Sequence, residues 1–235
     1  MENNIVNQEN IDVNDQNFQK MMFLYNSALK EIKTKMEILQ EELRIFSDYD
    51  PIEYISTRIK KPESIIKKLQ KKNLNLTYGN MFQEINDIAG IRIVCNFKTD
   101  VYKLVEIIED FQDIRILEKK DFLKRPKRSG YMSYHLIAEV PVNFSSGIMY
   151  VKVEIQLRTL GMDFWASLEH KLKYKNPNIS KTDSNTLVKY ARVINNIDEN
   201  MLTISNKLEK ERNDKLIIES ANNKELEKKK IFFKL

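Results

Sequence analysis

Three features of the chain predict a helix-rich α/β protein, α+β in the order of its segments, with long helices towards both ends. Glycine and proline are scarce, five of each in 235 residues, while charged residues make up 31%, a composition that favours helices over turn-rich β architecture. Apolar residues at heptad spacing mark one long helix near the start and another near the end. Between them lie short alternating runs that read as strands, the clearest being residues 150–158, YVKVEIQLR. There Val151, Val153, Ile155 and Leu157 point to one side, and Lys152, Glu154, Gln156 and Arg158 to the other.

Length and charge bound the function. The chain has room for one substantial core with helical extensions, or for two small domains. A net charge of +5 suits a polyanion such as a nucleotide, RNA or a membrane surface, and is also ordinary for a lysine-rich protein. The single cysteine, Cys95, excludes a disulfide framework within the chain and fits a reducing cytoplasm. Two histidines and that one thiol leave no credible zinc site. No stretch is apolar long enough to span a bilayer, and polar residues 1–17 read as a flexible N-terminus and not as a signal peptide.

Taken in order, the first helix carries Phe18, Met22, Tyr25, Leu29, Ile32, Met36, Leu39, Leu43 and Phe46 in alternating steps of four and three. Such a stripe serves equally for docking on the chain's own core and for packing between subunits. Asp48-Tyr49-Asp50-Pro51 ends it, because proline removes a donor and clashes with the preceding turn. Residues 55–60 form a strand with Arg58 and Lys60 on one face. Pro62 then opens a helix crowded with Lys67, Lys68, Lys71 and Lys72, charge suited to phosphates, although alone it reads as a solvated helix. No GxxxxGK[ST] loop is present. Residues 84–95, EINDIAGIRIVC, pass from a turn or short helix into a strand, with Ile91, Ile93 and Cys95 on one side and Arg92 on the other. Asp87 sits just ahead of that strand, where a carboxylate can face a site at its end.

A helix over 99–111 and a short strand over 114–116 come next. The basic loop 124–129, KRPKRS, leads into Tyr131, Ser133 and His135, which alternation places on one strand face. Residues 161–173 form a helix with Phe164, Trp165, Leu168 and Leu172 as its apolar face, broken by Asn176-Pro177. The last helix, from about Thr182, repeats the heptad through Leu187, Tyr190, Ile194, Ile197, Met201, Ile204 and Leu208. Its lysine- and glutamate-rich tail ends in Ile231-Phe232-Phe233 and is expected to be helical but mobile, or part of a partner contact.

Four stretches in order, STRIKKPESIIKKL, NDIAGIRIVC, RSGYMSYH and VEIQLRT with MDFWASLEHKLKYK close behind, resemble the small alarmone synthetases. These form the single-domain branch of the RelA/SpoT family of (p)ppGpp synthetases. The resemblance runs from about Pro51 to Lys175 and implies a nucleotidyltransferase-like mixed sheet flanked by helices. The expected plan is a flexible segment 1–17, an N-terminal helix 18–48, a catalytic domain 49–180, and a C-terminal helix and charged tail 181–235 for oligomerisation. The implied reaction moves the β,γ-pyrophosphate of ATP to the 3′-hydroxyl of GDP or GTP, with GMP a further acceptor to test, and releases AMP.

The residues supply parts for such chemistry. In-line phosphoryl transfer needs neutralised phosphates, an aligned hydroxyl and usually Mg²⁺, which takes one or two protein carboxylates. Asp87 and Glu154 are the candidates. By resemblance, Asp87 is a metal ligand, while Glu154 faces the metal and orients or deprotonates the attacking hydroxyl. Arg58 and Arg92 would sandwich adenine, and Lys60, Lys68 and Lys71 would hold the ATP phosphates. Tyr131 would stack on guanine with Lys127 and His135 nearby, and Gln156 and Arg158 would support the site. A homotetramer in the cytoplasm, without hydrolase activity or ribosome dependence, is the further expectation, as is contact with single-stranded RNA, which some relatives make.

Two other readings compete: a catalytically silent nucleotide- or RNA-binding module with the same fold, and a coiled-coil scaffold. Retention of both Asp87 and Glu154 speaks against the first, and the polar central strands against the second. One departure stands out. Met132 occupies a position where many small alarmone synthetases carry arginine, so either acceptor-phosphate preference shifts or Met132 simply packs opposite Tyr131 and His135.

Overall fold

The computed structural model describes residues 11–176 and 179–232. Its centre is a five-stranded mixed sheet in the order β1-β2-β5-β4-β3, formed by β1 (Ile52–Ile59), β2 (Ala89–Cys95), β3 (Arg115–Asp121), β4 (Tyr134–Phe144) and β5 (Gly147–Thr159). Strands β2 and β5 run parallel, and every other pairing is antiparallel. The strand singled out by its alternation, β5, therefore lies in the middle of the sheet.

Its register is set by burial. Val151, Val153, Ile155 and Leu157 are fully buried, each such side chain contributing about 1.5–3 kcal/mol relative to exposure. A slip of one residue would put Lys152, Glu154, Gln156 and Arg158 into that core instead. The same core takes residues from α1 (Gln16–Ser47), α2 (Pro62–Lys71), α3 (Tyr78–Glu84) and α4 (Lys98–Glu109).

Helix α1 starts where the Asp15 carboxylate accepts a hydrogen bond from the Phe18 amide at 2.6 Å, a cap that satisfies one open amide of the first turn. Residues ahead of it are anchored from Ile11, whose amide donates to Leu76 O. The heptad stripe of α1 docks on the protein's own sheet: Phe18, Tyr25, Leu29, Ile32, Met36 and Leu39 are buried and the helix covers β1, β2, β4 and β5. Phe46, 83% exposed, stays outside.

The opposite sheet face meets α5 (Leu160–Lys175), which follows β5 without a loop, and α6 (Lys181–Phe232) packs on α5 and α4. Here Trp165, Ala166 and Ala191 form a second, small core with Leu187, Ile194 and Tyr131 against it. Gly130 belongs to this contact. Its φ of +88° and the 2.6 Å from a built Cβ to the Ala191 methyl leave no room for a side chain.

Two expectations are corrected. Of the apolar set on α5, only Trp165 is buried, while Phe164, Leu168 and Leu172 are exposed at 61%, 42% and 46%. The helix turns Met162, Asp163, Trp165 and Ala166 inward instead, because the sheet face beneath it is polar. Tyr131 and Ser133 precede β4 and do not lie within it, and buried Ser133 donates to Leu157 O at 3.0 Å, away from any site. Helix α6 runs to Phe232, and Pro177 and Phe233 fall outside the described residues. Among the described residues no helix is long and apolar enough to cross a membrane.

Candidate active site

The polar face of β5 is not a solvent face. Glu154, Gln156 and Arg158 are each less than 10% exposed because α5 lies over them. Buried charges need partners, and these three supply one another. Glu154 accepts from Gln156 Nε2 at 2.7 Å, Gln156 Oε1 accepts from Arg158 Nη2 at 2.8 Å, and Arg158 Nη2 also donates to the Tyr131 hydroxyl at 2.6 Å. His135 closes the ring, with Nδ1 3.0 Å from Glu154 Oε1 and Nε2 2.8 Å from the Tyr131 hydroxyl. Burial opposes the charge on Glu154, but the hydrogen bonds from His135 and Gln156 outweigh it and hold the carboxyl below its usual range.

Tyr131 presents its ring beside two cations, Lys127 at 4.9 Å and Arg158 at 5.0 Å from the centroid. Phe122 meets Tyr131 and His135 edge to face and carries Lys127 at 4.5 Å. Phe122 escaped the sequence reading, since it lies in an unpatterned turn. The resulting cleft, about 460 Å³, is lined by Arg58, Asp87, Arg92, Lys127, Tyr131, His135, Glu154, Gln156 and Arg158, with α5 as its far wall.

The other side of the cleft is built differently. Asp87 leads into β2, and the edge strand β1 carries Arg58 opposite Gly90. A Cβ at Gly90 would sit 3.3 Å from Arg58 Nε, so the glycine lets the guanidinium lie across the sheet. Arg58, half exposed, reaches to 3.7 Å from Glu154. It shares with Arg92 a narrow pocket of about 140 Å³ lined also by Ser56, Thr57, Gly90, Ile91 and Gln156. Asp87 is held by Lys60 at 2.9 Å and Lys68 at 2.8 Å. Each lysine takes a different oxygen, Lys60 on Oδ2 and Lys68 on Oδ1. Burial raises the Asp87 carboxyl, the two lysines lower it, and the lysines prevail.

Eleven of the twelve sequence candidates thus converge, nine on the cleft wall and Lys60 and Lys68 on Asp87. Lys71 does not line the cleft and is exposed one turn beyond Lys68. Met132, 7% exposed, lines a different cavity against α6 and not the cleft. The sequence reading also missed Asp163, a buried carboxylate on the first turn of α5. It takes Arg92 and Arg158 at 3.1 Å each and the Tyr54 hydroxyl at 2.6 Å. An acidic residue inward of an otherwise apolar helix start was its only signal.

Among the described residues no three His, Cys, Asp or Glu side chains gather as a metal cage. Two carboxylates, Asp87 and Glu154, on one cleft wall fit a hard cation that brings its remaining oxygens from phosphates and water, once the lysines on Asp87 give way.

Residues 57–179 match the family described as a region found in RelA/SpoT proteins. The chain is similar to the GTP pyrophosphokinase YwaC of Bacillus subtilis, 41% identical over 189 residues that cover 80% of this chain and 90% of that protein. It is also similar to the GTP pyrophosphokinase YjbM of the same organism, 33% identical over 82% and 90% of the two chains. Among solved structures, small alarmone synthetase 1 of Bacillus subtilis bound to its product pppGpp superimposes with a TM-score of 0.77 at 33% identity. That match covers 82% of this chain and 98% of the other.

Proposed function

The chain belongs to the RelA/SpoT family, in its small alarmone synthetase branch, and on that premise we propose how its cleft makes (p)ppGpp. The protein is a GTP pyrophosphokinase. The 3′-hydroxyl oxygen of the guanine nucleotide attacks the β-phosphorus of ATP, the bond from Pβ to the bridging oxygen breaks, and AMP leaves with that oxygen. One observation carries the assignment of roles. A buried Glu154, its carboxyl held below the usual range, lies between an arginine pair on one side and a cation-flanked tyrosine on the other.

Arg58 and Arg92 stack on the two faces of adenine, with planar guanidinium groups suited to that contact. Tyr131 stacks on guanine, and Lys127 and His135 face the acceptor phosphates. The low carboxyl of Glu154 keeps it ionised at neutral pH, so it accepts a hydrogen bond from the 3′-hydroxyl and orients it, or takes its proton as the oxygen attacks. Gln156 and Arg158 hold Glu154 and Tyr131 in place. Lys60 and Lys68 release Asp87 to meet the triphosphate, joined by Lys71 from the next turn, and offset charge in the transition state. Asp87 and Glu154 would hold Mg²⁺, which when bound would neutralise the phosphates and polarise them for attack.

Incubation with ATP, GTP and Mg²⁺ followed by separation of the nucleotides tests this. AMP with guanosine penta- or tetraphosphate is the expected product pair. Binding without turnover would make the protein a nucleotide-sensing module. Running GMP, GDP and GTP in parallel ranks the acceptors.

The assembly we propose is a tetramer, built on α6. Tyr190, Ile197, Met201, Ile204 and Leu208 are 51–59% exposed along one stripe, beside exposed Phe164, Leu168 and Leu172 of α5. Ile194 is partly buried and packs on the Trp165 cluster. Light scattering should therefore show a smaller assembly for Met201→Asp with an unchanged melting temperature, whereas Ile194→Asp lowers the melting temperature. The single buried thiol suits the cytoplasm, and the net charge of +5 with the exposed lysines of α2 suits contact with RNA phosphates.

A further inference from the structure

We propose that Asp163, which touches no substrate in the reading above, is the positioning residue that ties the ATP side of the cleft to the guanine side. The proposal rests on that reading of Arg92 and Tyr131.

One oxygen, Oδ1, bridges Arg92 Nη1 and Arg158 Nη1, each at 3.1 Å. The second oxygen accepts from Tyr54 at 2.6 Å, with the Ser167 hydroxyl at 3.4 Å. Asp163 is 6% exposed and stands on the first turn of α5, so its place is fixed by backbone and not by a flexible stem. The guanidinium groups it joins have different support. Arg158 also holds Gln156 and Tyr131. Arg92 has Asp163 as its ion-pair partner among the described residues, while the Nε of each arginine is buried without an acceptor. Burial, and next the neighbouring Arg158 charge, make Arg92 costlier to charge, and the Asp163 carboxylate opposes both.

Removing the charge of Asp163 therefore frees Arg92 first, pushed outward by Arg158, and leaves Arg158 on its remaining bonds. When Tyr131 stacks on a base, Arg158 stiffens against Asp163, and Arg92 on the adenine side is held through the same oxygen. Donor and acceptor binding become linked through one carboxylate.

A binding cycle tests this by calorimetry, using a non-hydrolysable ATP analogue and GDP. Asp163→Asn, close to isosteric, should weaken the analogue by about tenfold or more, the scale of a lost charged contact, and leave GDP alone nearly unchanged. Wild type should bind GDP more tightly once the analogue is present, and Asp163→Asn should lose that gain. On an Arg92→Met background, Asp163→Asn should cost the analogue nothing further. Losses that add in the double variant, or a gain retained in Asp163→Asn, would overturn the proposal. If Asp163→Asn does not fold, Tyr54→Phe removes one anchor of the carboxylate without changing charge. It should weaken the analogue several-fold and spare GDP, while equal losses for both ligands count against positioning. An analogue affinity unmoved by Arg92→Met would instead bring down the adenine assignment itself, and this inference with it.

Discussion

The two sides of the cleft are prepared to different degrees. On the acceptor side Tyr131, His135, Glu154, Gln156 and Arg158 already form one closed hydrogen-bonded ring, most of it buried. On the donor side Arg58 is half exposed, Lys71 is free of the cleft, and Lys60 and Lys68 are spent on Asp87. The acceptor side is preorganised, so its dipoles need little reorganisation when the hydroxyl is aligned. The donor side must exchange lysine–aspartate contacts for lysine–phosphate and aspartate–metal contacts. Charge neutrality explains the difference. Without nucleotide, the half-buried Asp87 has the two lysines to balance it, whereas Glu154 is held by His135 and Gln156, donors that stay in place.

Substitutions can break this contrast. Glu154→Gln should lower turnover by about 10²–10⁴-fold, the range for a lost general base, while ATP-analogue affinity measured by calorimetry stays near wild type. Near-normal turnover would remove Glu154 from the chemistry. Asp87→Asn should act on the metal requirement, raising the Mg²⁺ concentration for half-maximal rate by about tenfold or more. A Mg²⁺ titration in the coupled AMP assay reads it, and an unchanged midpoint would deny Asp87 the metal. Tyr131→Phe keeps the stacking ring and loses two hydrogen bonds, so the acceptor KM should rise by about 2–10-fold with ATP KM unchanged.

Acid sharpens the same comparison. Asp87 and Glu154 both have folded carboxyls held below the ordinary range. Their ionised contacts thus add stability above pH about 4, and that contribution disappears as pH falls through the lower folded values. Thermal melts between neutral pH and pH about 3 should decline less steeply for Asp87→Asn than for wild type. Parallel curves would show that the lysine clamp adds nothing to folding. The smallest effect is expected at Met132. Because it lies against α6 and not in the cleft, Met132→Arg should leave the ratio of specificity constants for GMP, GDP and GTP unchanged while lowering the melting temperature. A shift in that ratio would return the position to the acceptor phosphates.

Much of this was legible in the chain. Alternation along β5 is a local signal and gave the correct faces for Val151 to Leu157 and for Glu154 to Arg158. That the polar face is buried was not legible, because it depends on α5 folding back over it. The heptad of α1 announced an apolar stripe but not the surface it meets, since period alone says nothing of the partner. Asp163 was hidden for a related reason. Its contacts come from Tyr54, 109 positions away in the chain, and from arginines on two other strands. Met132 was placed correctly only by the alternative that let it pack.

Thr159 is the last residue of β5 and the cap of α5, accepting from the Met162 amide at 3.2 Å and donating to Asp198 of α6 at 2.5 Å. The turn from strand to helix therefore contains no slack. One added residue there would rotate α5 by about 100° and advance it by about 1.5 Å, carrying Asp163 away from both guanidinium groups. The spacing from Arg158 to Asp163 acts as a gauge block. The length of this corner, more than its composition, is what keeps Asp163 on both guanidinium groups.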